Sequence, residues 1–475
     1  MEKANSEINL IDLIKRSNTE FIENELRPFL RIPSWTLNIE GIKKAKNFLI
    51  SYISEFSEEV SEHNGLINPL IVAKVEGEIK DSLLIYMMYD TQPISKEKEW
   101  ISNPFSAEIS ELPPPLNKLG RCIIARGAYN SKTPLLCFLN IVKILKKKNK
   151  LPISLCLLFD GEEEKGSLSL LKILEDKTHF EILRDCIDAY YPSTKQDLNK
   201  KSVLKLGYKG ILSLTIEISS KNKETHSAFS GMIPNPTADL VTLLNMIFSN
   251  NEFHIKSLKA PYELNNVEQS HMDNLLKELD FDSIKKKAGI EQTIKEDQQG
   301  AFKDYLFSPT FNISTLKSGF LGAGTKNYVS NHAKCNVDIR FAHHVTTKEI
   351  LKEIKEIADL FSKRTKSKIQ ITKNIGFESS RIRKDSILIK SLIKSAENLG
   401  FLTEIWPLSA AAAPLSKIQK ELGFEFITGG LGIGGFAHSA NEFIQLDSII
   451  NTRLSYYYFL REYSKMLKEK ISLVK

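Results

Sequence analysis

Residues 151–167, LPISLCLLFDGEEEKGS, set a run from Ile153 to Phe159, apolar but for Ser154, against an acidic turn bounded by Gly161 and Gly166. A short continuous apolar run closed by glycine reads as a strand buried on both faces, the kind found in a sheet covered by helices. Upstream, 82–89 (SLLIYMMY) has the same character. Residues 42–53 (IKKAKNFLISYI) and 135–148 (LLCFLNIVKILKKK) have helical spacing, and the second closes on lysines that suit a helix C-terminus. Buried strands alternating with helices predict an α/β core. Downstream the period changes to two. In 211–219 (ILSLTIEIS), Leu212, Leu214, Ile216 and Ile218 share one face, while Ser213, Thr215, Glu217 and Ser219 share the other. The alternation returns in 334–342 (KCNVDIRFA), followed by a helix carrying Ile350, Ile354, Ile357 and Phe361 and by the strand-like KIQIT at 368–372. After about residue 380, helices over 385–399 and 447–467 surround the glycine-rich GGLGIGGFAHSANE. The expected fold is therefore α/β, a mixed sheet flanked by helices built from 1–210 and 381–475, with 211–380 inserted as an α+β lid whose strands 211–219 and 334–342 offer an edge.

Composition narrows the classes of function. A length of 475 residues suits two or three domains, and 42% apolar against 26% charged residues, without a long uncharged run, fits a globular protein rather than a membrane or disordered one. The N-terminal MEKANSEINLIDLIKRSNTE has no apolar core or cleavage site of a signal peptide, so a cytoplasmic location is expected. Five unclustered cysteines, mostly inside apolar runs, read as reduced core thiols. The net charge of +7 is a mild excess at this length. Its densest runs, Lys146–Lys148 and Lys285–Lys287, lack interleaved aromatics and read as solvated helix ends, so neither nucleic acid nor membrane is an expected partner.

Loops after apolar strands are where α/β proteins place ligands. One strand ends in YDTQP, which puts Asp90 at its C-terminus; another runs into DGEEEKGS, where Asp160, Glu162, Glu163 and Glu164 crowd together. Two readings stand for that cluster: a cation, usually a metal, holds it, or it is an exposed acidic turn into a helix capped by Ser167. His226 in ETHSAFSG and His438 in AHSANE lie in loops bordered by glycine and serine, where a ligand or catalytic role competes with turn packing.

These segments recur in a familiar order: FLRIPSW at 29–35, YDTQP at 89–93, EW and PF within 99–105, RGAYNSK at 126–132, the 151–167 stretch, ETHSAFSG and PNP within 224–236, DIRF at 338–341 and AHSANE at 437–442. In them the chain resembles the zinc-dependent aminoacylase/carboxypeptidase/carnosinase family of metallopeptidases, which includes acetylornithine deacetylase and succinyl-diaminopimelate desuccinylase. The resemblance implies a catalytic α/β domain with an inserted lid that dimerises, and two zinc ions sharing a bridging carboxylate. It places Glu163 as general base, Glu164 and His438 as ligands of the second zinc, Asp90 as the residue that orients a ligand, His226 as the lid histidine that serves the partner's site, and Arg340 as a carboxylate-binding group; Lys132 also matches. Three metal positions depart from the pattern. Met88 stands for a histidine, Asn130 for the bridging aspartate, and Thr194 for a further carboxylate, unless a gap brings Asp197 there. Thioether, amide and hydroxyl are poor substitutes for imidazole and carboxylates on zinc. The family's Gly-Gly-Ser-x-Pro segment reads Ala410 to Ala413 and Pro414. The resemblance thus implies at most one zinc per chain, held by Glu164 and His438 with weak help from Asn130. The expected protein is an inactive or weakly active homodimer that takes a peptide-like ligand or pairs with an active paralogue. The alternative is a single-metal hydrolase cleaving an amide bond near a free carboxylate.

Overall fold

A computed structural model of the chain describes residues 2–95, 97–175, 183, 186–383, 385–412 and 414–474. It divides into two compact units, Met1–Leu206 with Ile382–Trp406 and Lys417–Lys475, and Gly207–Arg381 with Pro407–Ser416. The fold class read from the sequence, α/β with an inserted α+β unit, is the one observed.

In the first unit the apolar run 153–159 forms the strand Ile153–Asp160, buried at every residue. It lies inside a six-stranded mixed sheet of order Glu59–His63, Leu70–Val75, Ile153–Asp160, Ile79–Met88, Cys186–Pro192 and Phe426–Gly429. The last four strands run parallel to one another, so their C-terminal ends emerge on one edge; Met88 pairs in register with Asp160. That shared edge is the structural reason residues distant in sequence can meet there. Helices Lys132–Lys147 and Ile449–Val474 pack on the sheet through aromatic contacts: Phe138 lies 6.2 Å from Tyr190 and 5.6 Å from Tyr456, and Tyr190 lies 4.0 Å from Phe459 between ring centroids. Arg453, fully buried in the last helix, donates to Ile14 O (2.7 Å) and Asn140 Oδ1 (2.7 Å), which satisfies its guanidinium away from water.

The inserted unit holds a four-stranded antiparallel sheet of order Thr310–Ser318, His332–Phe341, Gly210–Ser219 and Lys368–Phe377. Leu212, Leu214, Ile216 and Ile218 line its buried face with Cys335, Val337 and Ile339, against Leu240, Leu243 and Ile247 of one helix and Ile350, Ile354 and Phe361 of another. One expectation is corrected. Strands 211–219 and 334–342 are not edges but the two central strands, and the edges are Thr310–Ser318 and Lys368–Phe377. Residues 310–318 are mostly exposed and show no clean alternation, so nothing local marked them as the strand that covers 334–342. The five cysteines are free and buried. No helix among the described residues is long and apolar enough to cross a membrane.

Candidate functional site

The acidic cluster separates into two halves once its hydrogen bonds are followed. Asp160 accepts from Glu162 N (2.9 Å) and Tyr86 OH (3.0 Å), and burial lifts its pKa to about 6. Glu162, fully buried, accepts from Ile67 N (3.0 Å), Asn68 N (3.1 Å) and Ser169 N. These two carboxylates build the turn. The exposed acidic turn capped by Ser167 is therefore not what forms: Ser167 sits at φ +54° with its hydroxyl 3.2 Å from Tyr86 OH, and Glu162 meets the first-turn amide of the following helix instead.

Glu163 and Glu164 remain, and Asp90 aims both. Its Oδ1 accepts from Glu163 N (3.1 Å), and its Oδ2 accepts from Glu164 N (3.2 Å) and Thr36 Oγ1 (2.7 Å). Burial, with Asp160 and Glu164 nearby, holds the Asp90 carboxyl well above the usual range. Burial first, then Glu164, Asp90 and Asp160, pushes Glu163 the same way, as expected where like charges share a low-dielectric site. Glu164 is differently placed. Its Oε2 accepts from Gln92 Nε2 (2.7 Å), and its Oε1 accepts from Asn130 Nδ2 (3.2 Å) and lies 3.2 Å from His438 Nε2. Asn130 Nδ2 also stands 3.2 Å from His438 Nε2. The hydrogen bond to Glu164 raises the pKa of His438, which sits at φ +64° in the glycine-rich loop.

Asn130 is delivered by the loop between Ile124 and the helix starting at Lys132, across a cis Asn130–Ser131 peptide bond. Glu442 shapes this loop: its carboxylate accepts from Arg126 Nη1 (2.7 Å), Gly127 N (3.1 Å), Tyr129 N (3.0 Å) and Asn130 N (2.7 Å), and both members of the ion pair are almost fully buried. Ser131 Oγ donates to Met88 O (2.9 Å), so that hydroxyl is already committed. Lys132 is buried, with Nζ donating to Phe29 O and Ile32 O, and desolvation drops its pKa to about 7.

The structure thus brings Asp90, Asn130, Glu163, Glu164 and His438 together. Met88 ends its strand beside them, buried, and Thr194 Oγ1 donates to Tyr129 O (3.4 Å). Asp197 Oδ1 accepts from Lys201 N (2.7 Å) in its own turn. Among the described residues, no three His, Cys, Asp or Glu side chains are grouped so as to hold a metal ion. His226 and Arg340 belong to the inserted unit: His226 is exposed, with Nδ1 accepting from Ala228 N (3.2 Å), and Arg340 Nε lies 4.0 Å from Asp338 Oδ2. In the alanine segment, Ala411 N donates to Ser409 Oγ (3.2 Å), while Ala413 lies outside the described residues. Gln92, Arg126 and Glu442 escaped the sequence reading. All three lie inside quoted segments, YDTQP, RGAYNSK and AHSANE, but their partners are set by loops that only the fold brings together.

A sequence model of Peptidase family M20/M25/M40 matches residues 84–462. The chain is 24% identical over 369 residues to a Cys-Gly metallodipeptidase of Schizosaccharomyces pombe, covering 73% of this chain and 74% of that protein. It is 22% identical over 474 residues to a Cys-Gly metallodipeptidase of Candida albicans, covering 93% and 94%. The crystal structure of an M20 family metallo-carboxypeptidase from Sulfolobus solfataricus superposes with a TM-score of 0.82 at 25% identity, covering 92% of this chain and 98% of that one.

Proposed function

Because the chain belongs to peptidase family M20/M25/M40, we propose that it keeps the metallopeptidase fold and a peptide-like ligand, and has lost most or all zinc-dependent amide hydrolysis. One observation carries this reading: the oxygens of Glu164 are bonded by two amides and lie against an imidazole, all from the chain itself. A carboxylate so satisfied needs no cation, and the remaining positions offer a thioether, an amide and a hydroxyl where a zinc pair wants imidazole and carboxylates. The donor set does not fit two zinc ions. What the residues can do is bind: Gln92 and Asn130 present amides, and His438 and Glu164 present a proton-sharing pair. The buried thiols suit a reducing compartment, and we place the protein in the cytoplasm.

The test is elemental analysis of the purified chain, with assay against dipeptides and N-acyl amino acids in zinc, cobalt or manganese. Substantially less than two zinc per chain and no metal-dependent turnover are expected. Two tightly held ions, or robust turnover, overturn the proposal. Glu163 favours a second reading, because a half-buried carboxyl with raised proton affinity suits a general base. Turnover that rises with a single bound ion and vanishes in Glu163→Gln would establish that single-metal hydrolase instead.

A further inference from the structure

Strands Ser202–Lys205 and Thr403–Trp406 of the first unit run parallel, with Lys205 in register with Trp406. The chain reaches this ladder through a turn in which the Lys195 carbonyl accepts from Val203 N (2.7 Å). Lys205 Nζ lies 4.9 Å from the centroid of the Trp406 ring, and Lys195 Nζ lies 6.0 Å from that of Tyr129. Both lysines are half-buried. No carboxylate among the described residues answers either one. Burial alone draws Lys195 below the ordinary lysine range, and burial plus the charge of Lys195 takes Lys205 down to about 8. The nearby acids are engaged elsewhere, Glu404 by the indole Nε1 of Trp406 (2.6 Å) and Asp197 by Lys201 N (2.7 Å).

Two desolvated ammonium groups that repel each other weaken a fold, and cation–π contact offsets only part of that cost. Their position has a different logic. The C-terminal ends of parallel strands are where α/β folds take ligands, and Lys195 directly follows Thr194, whose hydroxyl bonds the Tyr129 carbonyl one residue before Asn130. We propose that Lys195 and Lys205 form a binding site for the carboxylate of a small organic anion, with the rings of Trp406 and Tyr129 flanking its apolar body. Each ammonium supplies rotatable donors to a carboxylate oxygen, and the aromatic faces favour an organic acid over a bare inorganic anion. This goes beyond the reading above, since capture of an anion here requires neither loss nor retention of hydrolysis.

The experiment is isothermal titration of the full chain at low salt and about pH 6.5, below the value of about 8 to which Lys205 is drawn. The probes are N-acetylglycine, its neutral analogue N-acetylglycinamide, and inorganic phosphate. The acid is expected to bind about tenfold or more tightly than the amide, with Lys195→Met and Lys205→Met each weakening it about tenfold and Lys205→Arg largely retaining it. Equal binding of acid and amide, no binding of the acid in the millimolar range, or unchanged binding in the double variant overturns the site. Phosphate binding as tightly as the acid overturns its assignment to an organic carboxylate. Thermal melting provides a readout independent of ligand: the ligand-free double methionine variant should melt at the same or a higher temperature, and a lower one would show that the lysines serve the fold instead.

Discussion

Asn130 stands at the centre of the candidate site, where its amide donates to Glu164 Oε1. Restoring Met88→His, Asn130→Asp and Thr194→Asp together is expected to raise zinc retained after dialysis, read by elemental analysis. Without metal, the same variant should be less stable than the parent, since new carboxylates join Asp90 and Glu163, whose charged forms are already disfavoured. Unchanged zinc content would put the Thr194 position in doubt first. Lys132 gives a prediction of another kind. Its folded pKa of about 7 lies below the ordinary 10.5, so between those values the unfolded chain binds a proton that the folded chain does not. Stability from this group therefore rises with pH above about 7, by up to about 1.4 kcal/mol per unit, and is flat below it. The difference in urea midpoint between the protein and Lys132→Met should follow that profile; a difference independent of pH would mean the ammonium stays charged. At this scale the sequence was half legible. Carboxylates placed directly after a buried strand, Glu163 and Glu164, could be found from local order, whereas the Gln92 amide on Glu164 depends on how a separate loop is packed.

Among elements, the loop that carries Asn130 depends on a segment more than three hundred positions away, through the Glu442 carboxylate. Replacing Glu442→Gln would leave Arg126 buried without its counter-charge and turn one of the two oxygens that serve three backbone N–H groups into a donor, with Arg126 Nε already lacking a hydrogen-bond partner. A loss of about 3–5 kcal/mol is expected in urea unfolding, and a loss below about 1 kcal/mol would mean water takes over the pairing. The strands show the same divide between local and distant information. Ile153–Asp160 was legible because burial on both faces leaves a continuous apolar run, and Gly210–Ser219 because burial on one face leaves alternation. The order of the inserted sheet was not, because its edge strand Thr310–Ser318 has a mostly exposed pattern that carries little signal of its own.

For the molecule as a whole, that same edge strand exposes Ile313 and Leu316. An unpaired edge with apolar side chains invites a second copy, and a homodimer built on the inserted unit is expected; a monomer in light scattering at micromolar concentration would count against it. If an active paralogue from the same source joins such a dimer, His226→Ala should slow the mixture, and an unchanged rate would exclude a cross-subunit role for this exposed histidine. The arrangement of the first unit also bears on how the protein is made. Its strand Cys186–Pro192 is completed by Phe426–Gly429, so a ribosome adding ~5–20 residues per second leaves that side of the sheet open for roughly 10–50 s while the inserted unit emerges. Glu442 leaves the ribosome later still, so the Asn130 loop cannot take its final shape until residue 442 has emerged. Binding competence therefore waits on the segment around Glu442, and a product terminated before residue 426 would carry an open sheet side and no finished site.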